Sequence, residues 1–156
     1  MFEFTSENLT EFQEILQRYP IKRAALLPAL WLIQKQAGWI SREAMLYVAG
    51  LLDLQPSKVY EVVTFYTMFH QKPVGKYHIQ ICRTLSCQLL GSPSITEHLK
   101  KRLGIGLGEM TTDGRFSLVE VECLGSCGTG PMFQINDEYH ENLTIEKVDQ
   151  ILSELK

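Results

Sequence analysis

The sequence predicts an α+β chain in which a small helical bundle over residues 1–72 is followed by a compact α/β unit over residues 76–156. Three observations predict it. Apolar residues recur at helical spacing through the first 70 positions. A Pro/Gly break, Gln71-Lys72-Pro73-Val74-Gly75, then changes the period from about 3.6 to about 2. From there strand and helix patterns alternate to the end, and a length of 156 residues suits two small units as well as one average domain.

Leu9, Phe12, Ile15 and Leu16 share one helical face ahead of Pro20, which predicts a first helix over residues 9–18. Ala25, Leu26, Ala29, Leu30, Ile33 and Ala37 predict a second over residues 22–36, stopped by Gly38, with Pro28 marking a kink or a restart inside it. Ser41 caps a third helix, whose stripe is Ala44, Met45, Val48 and Leu52, and Gln55-Pro56 opens a fourth with proline in its first turn. That fourth helix carries Val59, Tyr60, Val62, Val63, Phe65, Tyr66, Met68 and Phe69, apolar on nearly every side. Such a helix is covered from more than one direction, by its own core and the second unit or by a docking partner. Eleven of the fifteen aromatic residues lie in the first 72 positions, so this half is the richer in large contact surfaces.

In the second half Tyr77, Ile79 and Ile81 alternate with His78, Gln80 and Cys82, a strand that ends on the cysteine. Residues 94–103 read as a helix, 116–121 as a strand ending just before Cys123, and 132–135 as a further strand. The closing helix over 144–155 presents Ile145, Val148, Ile151, Leu152 and Leu155 on one face.

Composition narrows the function. Apolar residues at 45% and charged residues at 21% exclude disordered and collagen-like classes. A net charge of -3 supplies no positive field for a phosphate backbone, so nucleic acid is not an expected partner. The longest apolar run, residues 24–33, is too short to span a bilayer and is interrupted by Pro28. Met1-Phe2-Glu3-Phe4 shows no basic segment leading into an apolar core, which predicts a cytoplasmic location.

The chemistry is concentrated in Cys82, Cys87, Cys123 and Cys127, a C-x4-C pair and a C-x3-C pair separated by 35 residues. In a reducing compartment four thiols point to metal or redox chemistry before disulfides. Each pair is predicted in a loop leaving a strand, and the two loops converge if those strands are neighbours. The second loop adds Gly125, Gly128 and Gly130, which let backbone N–H groups approach and stabilise sulfur charge. A [2Fe-2S] cluster, needing two thiolates for each of two irons, suits the spacing best. Structural zinc, a catalytic dithiol and unconnected cysteines remain open at this point.

Cys82-Arg83-Thr84-Leu85-Ser86-Cys87, Cys123-Leu124-Gly125-Ser126-Cys127 and Pro131 resemble the thioredoxin-like [2Fe-2S] ferredoxin family. The stretch Tyr60-Glu61-Val62-Val63-Thr64-Phe65-Tyr66-Thr67-Met68-Phe69 is similar to the helix preceding the cluster domain in NuoE-type subunits of respiratory complex I, the NADH:quinone oxidoreductase. The resemblance covers nearly the whole chain, with Gly130 standing where many relatives carry alanine. It implies a thioredoxin-like fold for residues 76–156, a ligand role for Cys82, Cys87, Cys123 and Cys127, and docking through the helical bundle. It also implies an electron-transfer role beside a partner subunit that holds FMN and the NADH site, peripheral to the inner membrane. The equivalent subunits of NAD-linked hydrogenases and formate dehydrogenases share these features. No strand-G-x-G-x-x-G-helix unit is visible, so no NADH oxidation is expected from the chain alone.

Gly104-Ile105-Gly106-Leu107-Gly108 follows a basic helix end and reads as a connection, not a phosphate loop. Lys100-Lys101-Arg102 suits a helix C-terminus. His70, His78, His98 and His140 fall outside the cysteine loops and are assigned to no metal. Arg83 reads equally as a counter-charge to a cluster and as a solvated loop residue.

Overall fold

The computed structural model describes residues 2–155, and the chain divides into two compact units, Met1–Pro73 and Val74–Lys156. In the first, helix α1 (Ser6–Gln17) starts three residues before the predicted stripe, because Thr5 caps it by accepting from the Asn8 N–H at 3.2 Å. A 3-10 turn (Lys22–Ala25) runs into α2 (Leu26–Ala37), so the long second pattern restarts instead of kinking. Pro28 then lies in the first turn of α2, where a missing N–H leaves no broken bond. Gly38, at φ +79°, ends α2 in the left-handed conformation that side chains resist. Helix α3 (Arg42–Leu52) is capped by Ser41, whose Oγ accepts from the Ala44 N–H at 3.1 Å, and α4 (Pro56–Phe65) opens on its proline.

One apolar core joins these helices through Phe12, Leu30, Ile33, Val48, Leu52, Val59 and Val63. The helical pattern read through Phe69 stops at Phe65. Beyond it the chain is held by the buried Gln34, whose Nε2 donates to the Met68 carbonyl at 2.8 Å and whose Oε1 accepts from the His70 N–H at 2.7 Å. These bonds satisfy backbone groups outside any helix and turn Phe69 into the core.

The second unit is built on a five-stranded sheet. Its elements in chain order are β1 (Tyr77–Cys82), α5 (Leu85–Leu89), α6 (Ser92–Leu103), β2 (Glu109–Met110), β3 (Phe116–Val121), β4 (Phe133–Ile135), β5 (Glu138–His140) and α7 (Ile145–Glu154). The spatial order is β2-β3-β1-β4-β5, with β1 parallel to β3 and every other neighbouring pair antiparallel. Ile79, Ile81, Leu118, Phe133 and Ile135 from the strands share a core with Ile95 and Leu99 of α6 and Val148 and Leu152 of α7. The mixed sheet with helices supplying its core is an α/β arrangement within an α+β chain. Three elements lay outside the predicted pattern, α5, β2 and β5, each only two to five residues long. A hydrophobic period is not expressed over so few positions.

Candidate metal centre

Cys82 is the last residue of β1 and lies opposite Val121, the last residue of the parallel strand β3. Parallel neighbours deliver their C-terminal ends to the same edge, so the chain leaving β1 and the chain leaving β3 emerge side by side. Pro131 and Met132 bring in a third segment: β4 runs antiparallel to β1, and the Cys82 N–H donates to the Met132 carbonyl at 3.3 Å. The Gly130–Pro131 peptide is cis.

Both members of the first pair are buried, Cys82 at 2% exposure and Cys87 at 1%, against Met132 and the half-buried Leu124. Cys87 was expected in a loop. It sits instead on α5, a single helical turn that starts after Thr84 and returns the second thiol beside the first. Cys82 Sγ is 3.3 Å from Thr84 Oγ1, and the Cys82 carbonyl accepts from Ser92 Oγ at 2.6 Å. The second pair is exposed, with Cys123 Sγ and Cys127 Sγ 3.6 Å apart.

Gly125, at φ +83°, directs its N–H at Cys123 Sγ from 3.3 Å, the role predicted for a glycine of this loop. Gly130 serves differently: a Cβ there would lie 3.1 Å from Leu90 Cδ1 and 3.3 Å from Cys87 Sγ, so its small size leaves room against the buried thiol. The space around Gly128 is open, and nothing in the structure requires glycine there.

The two segments also meet through their polar groups. Burial pushes the Cys82 thiol up, but hydrogen bonds from the Thr84 side chain and backbone, the Leu124 backbone and Cys87 outweigh it and bring Cys82 below the ordinary thiol value. Burial, then the hydrogen bond and charge of Cys82, push Cys87 up to about 11. The hydrogen bond and charge of Cys123 raise Cys127, which also interacts with the Ser86 side chain from the first segment. Four soft donors, two per segment, with backbone N–H groups turned toward sulfur, form a donor set that suits a two-iron, two-sulfide group. Among the described residues no three or more His, Cys, Asp or Glu side chains are grouped as a single-ion site requires. The thiols stand as two pairs, one in each segment.

Other residues singled out in the sequence lie in separate contacts. Arg83 makes a forked pair with Glu122, its Nε at 3.0 Å and its Nη2 at 2.6 Å from one carboxylate oxygen. That pair ties the residue after Cys82 to the residue before Cys123. His98 bonds Asp149, and His78 bonds Ser117. Residues 104–108 link α6 to β2, with Gly104 closing the helix at φ +68°.

The structure also adds supports for the second loop that spacing did not reveal. Tyr139 donates its hydroxyl to the Leu124 carbonyl at 2.6 Å, and Glu141 accepts from the hydroxyls of Ser126 and Thr129. Glu141 lies 15 positions beyond Ser126 in sequence, past two strands, so no local motif could have joined them.

An NADH-quinone oxidoreductase chain of Rickettsia bellii, the E component of that enzyme, is 48% identical over 99% of this chain and 95% of its own length. NADH dehydrogenase [ubiquinone] flavoprotein 2, mitochondrial, of Dictyostelium discoideum is 45% identical over 99% of this chain and 64% of that protein. Among solved structures, an NAD+-reducing [NiFe]-hydrogenase in the air-oxidized state matches with a TM-score of 0.74 at 22% identity, over 84% of this chain. This chain spans 22% of the length of that hydrogenase chain, and the likeness bears on the fold alone. Residues 12–156, which include both cysteine pairs, match the family described as thioredoxin-like [2Fe-2S] ferredoxin, and the chain belongs to that family.

Proposed function

We propose that this chain is the [2Fe-2S] electron-transfer subunit of an NADH:quinone oxidoreductase, with Cys82 and Cys87 on one iron and Cys123 and Cys127 on the other. The observation that carries the reading is the delivery of both thiol pairs to one edge of the sheet by the parallel strands β1 and β3. When bound, such a cluster stores and passes on one electron at a time. The protein's own part is to exclude water from the first pair, which is buried, and to hold the second in a loop whose Gly125 N–H faces sulfur. Hydride oxidation belongs to a partner subunit carrying FMN and the NADH site, because a hydride delivers two electrons and a flavin separates them. Relatives at 44 to 48% identity that are named as components of NADH-quinone oxidoreductase support this host over a hydrogenase or formate dehydrogenase. No helix among the described residues is long and apolar enough to cross a membrane. In this reading, attachment to the cytoplasmic side of the inner membrane runs through the larger complex.

Metal and sulfide analysis tests the reading. Two irons and two inorganic sulfides per chain, with visible absorbance bleached by dithionite, are expected, and one zinc without iron would replace it by a structural-metal role. Serine at any of the four cysteine positions is expected to lower the potential or abolish cluster retention. A variant with unchanged spectrum and potential would remove that cysteine from the ligand set.

A further inference from the structure

Glu141 is a half-buried carboxylate that follows β5 in the chain. A single oxygen, Oε1, accepts from two hydroxyls of the second cysteine loop, Ser126 Oγ and Thr129 Oγ1, the latter at 2.6 Å. The two hydroxyls are themselves 2.6 Å apart. They bracket Cys127: Ser126 precedes it directly, and Thr129 ends the 3-10 turn that it begins (Cys127–Thr129). The same stretch of chain supports the loop through main-chain bonds, from the Asn142 N–H to the Thr129 carbonyl at 2.7 Å and from the Leu143 N–H to the Pro131 carbonyl at 3.0 Å. An ionised oxygen is the acceptor suited to two hydroxyl donors, because charge-assisted bonds are shorter and stronger than neutral ones.

We infer that Glu141 is a positioning residue which holds the Cys127 turn in place and, by its charge, lowers the reduction potential of the group bound to the thiolates. This rests on the reading of Cys82, Cys87, Cys123 and Cys127 as ligands of a [2Fe-2S] cluster. An added electron makes such a group more negative, and a fixed carboxylate beside its loop opposes the change in a region only partly reached by water. Lys147 acts in the opposite sense: its Nζ donates to the Glu141 carbonyl at 2.5 Å, bringing a positive charge to the same corner.

The test uses the cluster-loaded chain, a redox titration followed by visible absorbance, and iron and sulfide content as the control for loading. Glu141→Gln keeps an acceptor oxygen and removes the charge. It is expected to retain wild-type iron and to shift the reduction equilibrium upward by roughly three- to tenfold, the upper end being about 59 mV for one electron. Lys147→Met is expected to shift it downward. Glu141→Ala removes the acceptor as well, so in the cluster-free chain Cys123 and Cys127 are expected to be alkylated several-fold faster than in Glu141→Gln, as read by mass spectrometry. An unchanged potential in Glu141→Gln overturns the electrostatic part, and equal alkylation rates overturn the positioning part. Absence of iron and sulfide from the wild-type chain would instead overturn the ligand reading, while alkylation of the cluster-free chain would still decide whether Glu141 holds the loop.

Discussion

Gly75 and Gly130 show how differently two glycines of one unit constrain the chain. A Cβ on Gly75 would meet the Phe116 carbonyl carbon at 2.5 Å and the Ser117 nitrogen at 2.7 Å, which are backbone atoms of β3 and cannot step aside. The Gly75 N–H also donates to Ser117 Oγ at 2.9 Å, so this close approach fixes the chain's entry to β1 beside β3. Gly75→Ala is therefore expected to destabilise the second unit by about 1 to 3 kcal/mol, the usual range for overpacking, read as a lowered thermal midpoint. At Gly130 the tightest neighbour is the flexible end of Leu90, and the φ of -68° suits any L residue. Gly130→Ala is expected to fold with a change under about 1 kcal/mol, which agrees with the alanine that the family resemblance places there.

At the scale of elements, α4 separates core from surface within one apolar sequence. Val63 is fully buried and Phe69, beyond the helix, is 3% exposed, whereas Tyr60 is 56% and Phe65 76% exposed. Val63→Asp is expected to unfold the helical unit, since an unpaired carboxylate in that core costs several kcal/mol. Phe65→Asp is expected to leave the circular dichroism unchanged and to weaken capture of the proposed flavoprotein subunit in a pull-down. Full capture by that variant would take the docking role away from α4. The pairing of α6 with α7 predicts a pH effect. The hydrogen bond to His98 at 2.9 Å outweighs desolvation and, with the charges of His98 and Arg102, holds Asp149 below its ordinary carboxylate value. A folded value below the unfolded one means the contribution is complete above the unfolded value, about 3.9, and is lost as pH falls through the folded one. Acid unfolding below about pH 4 is expected to be blunted in Asp149→Asn.

For the molecule as a whole, the division of labour makes the most direct prediction. The purified chain, cluster loaded, is expected to give no NADH-dependent reduction of ferricyanide, and to take part in that reaction only with the flavoprotein partner proposed above. A substantial rate without a partner would overturn the assignment of hydride chemistry to another subunit. The exposed Leu85, Leu89 and Leu90 on and after α5, next to Cys87, mark a second apolar surface beside the thiols.

How much of this was legible before folding depended on the range of the interactions involved. Ser41 as a cap, Pro56 opening a helix, Gly38 closing one and β1 ending on Cys82 were all readable, because each depends on local backbone geometry or on a period spanning a turn or more. The two cysteine pairs were readable as candidate donors for the same reason, since close spacing along the chain limits how far apart two thiols can lie. Tertiary structure alone decided that α4 stops at Phe65, because Gln34, distant in sequence, binds the backbone of Met68 and His70. It alone placed Cys87 on a helical turn, turned Val63 inward and Phe65 outward, and set Glu141 against Ser126 and Thr129. Such long-range contacts exist only after separated segments pack together, and a single side chain meeting a distant backbone leaves no repeating pattern in the sequence.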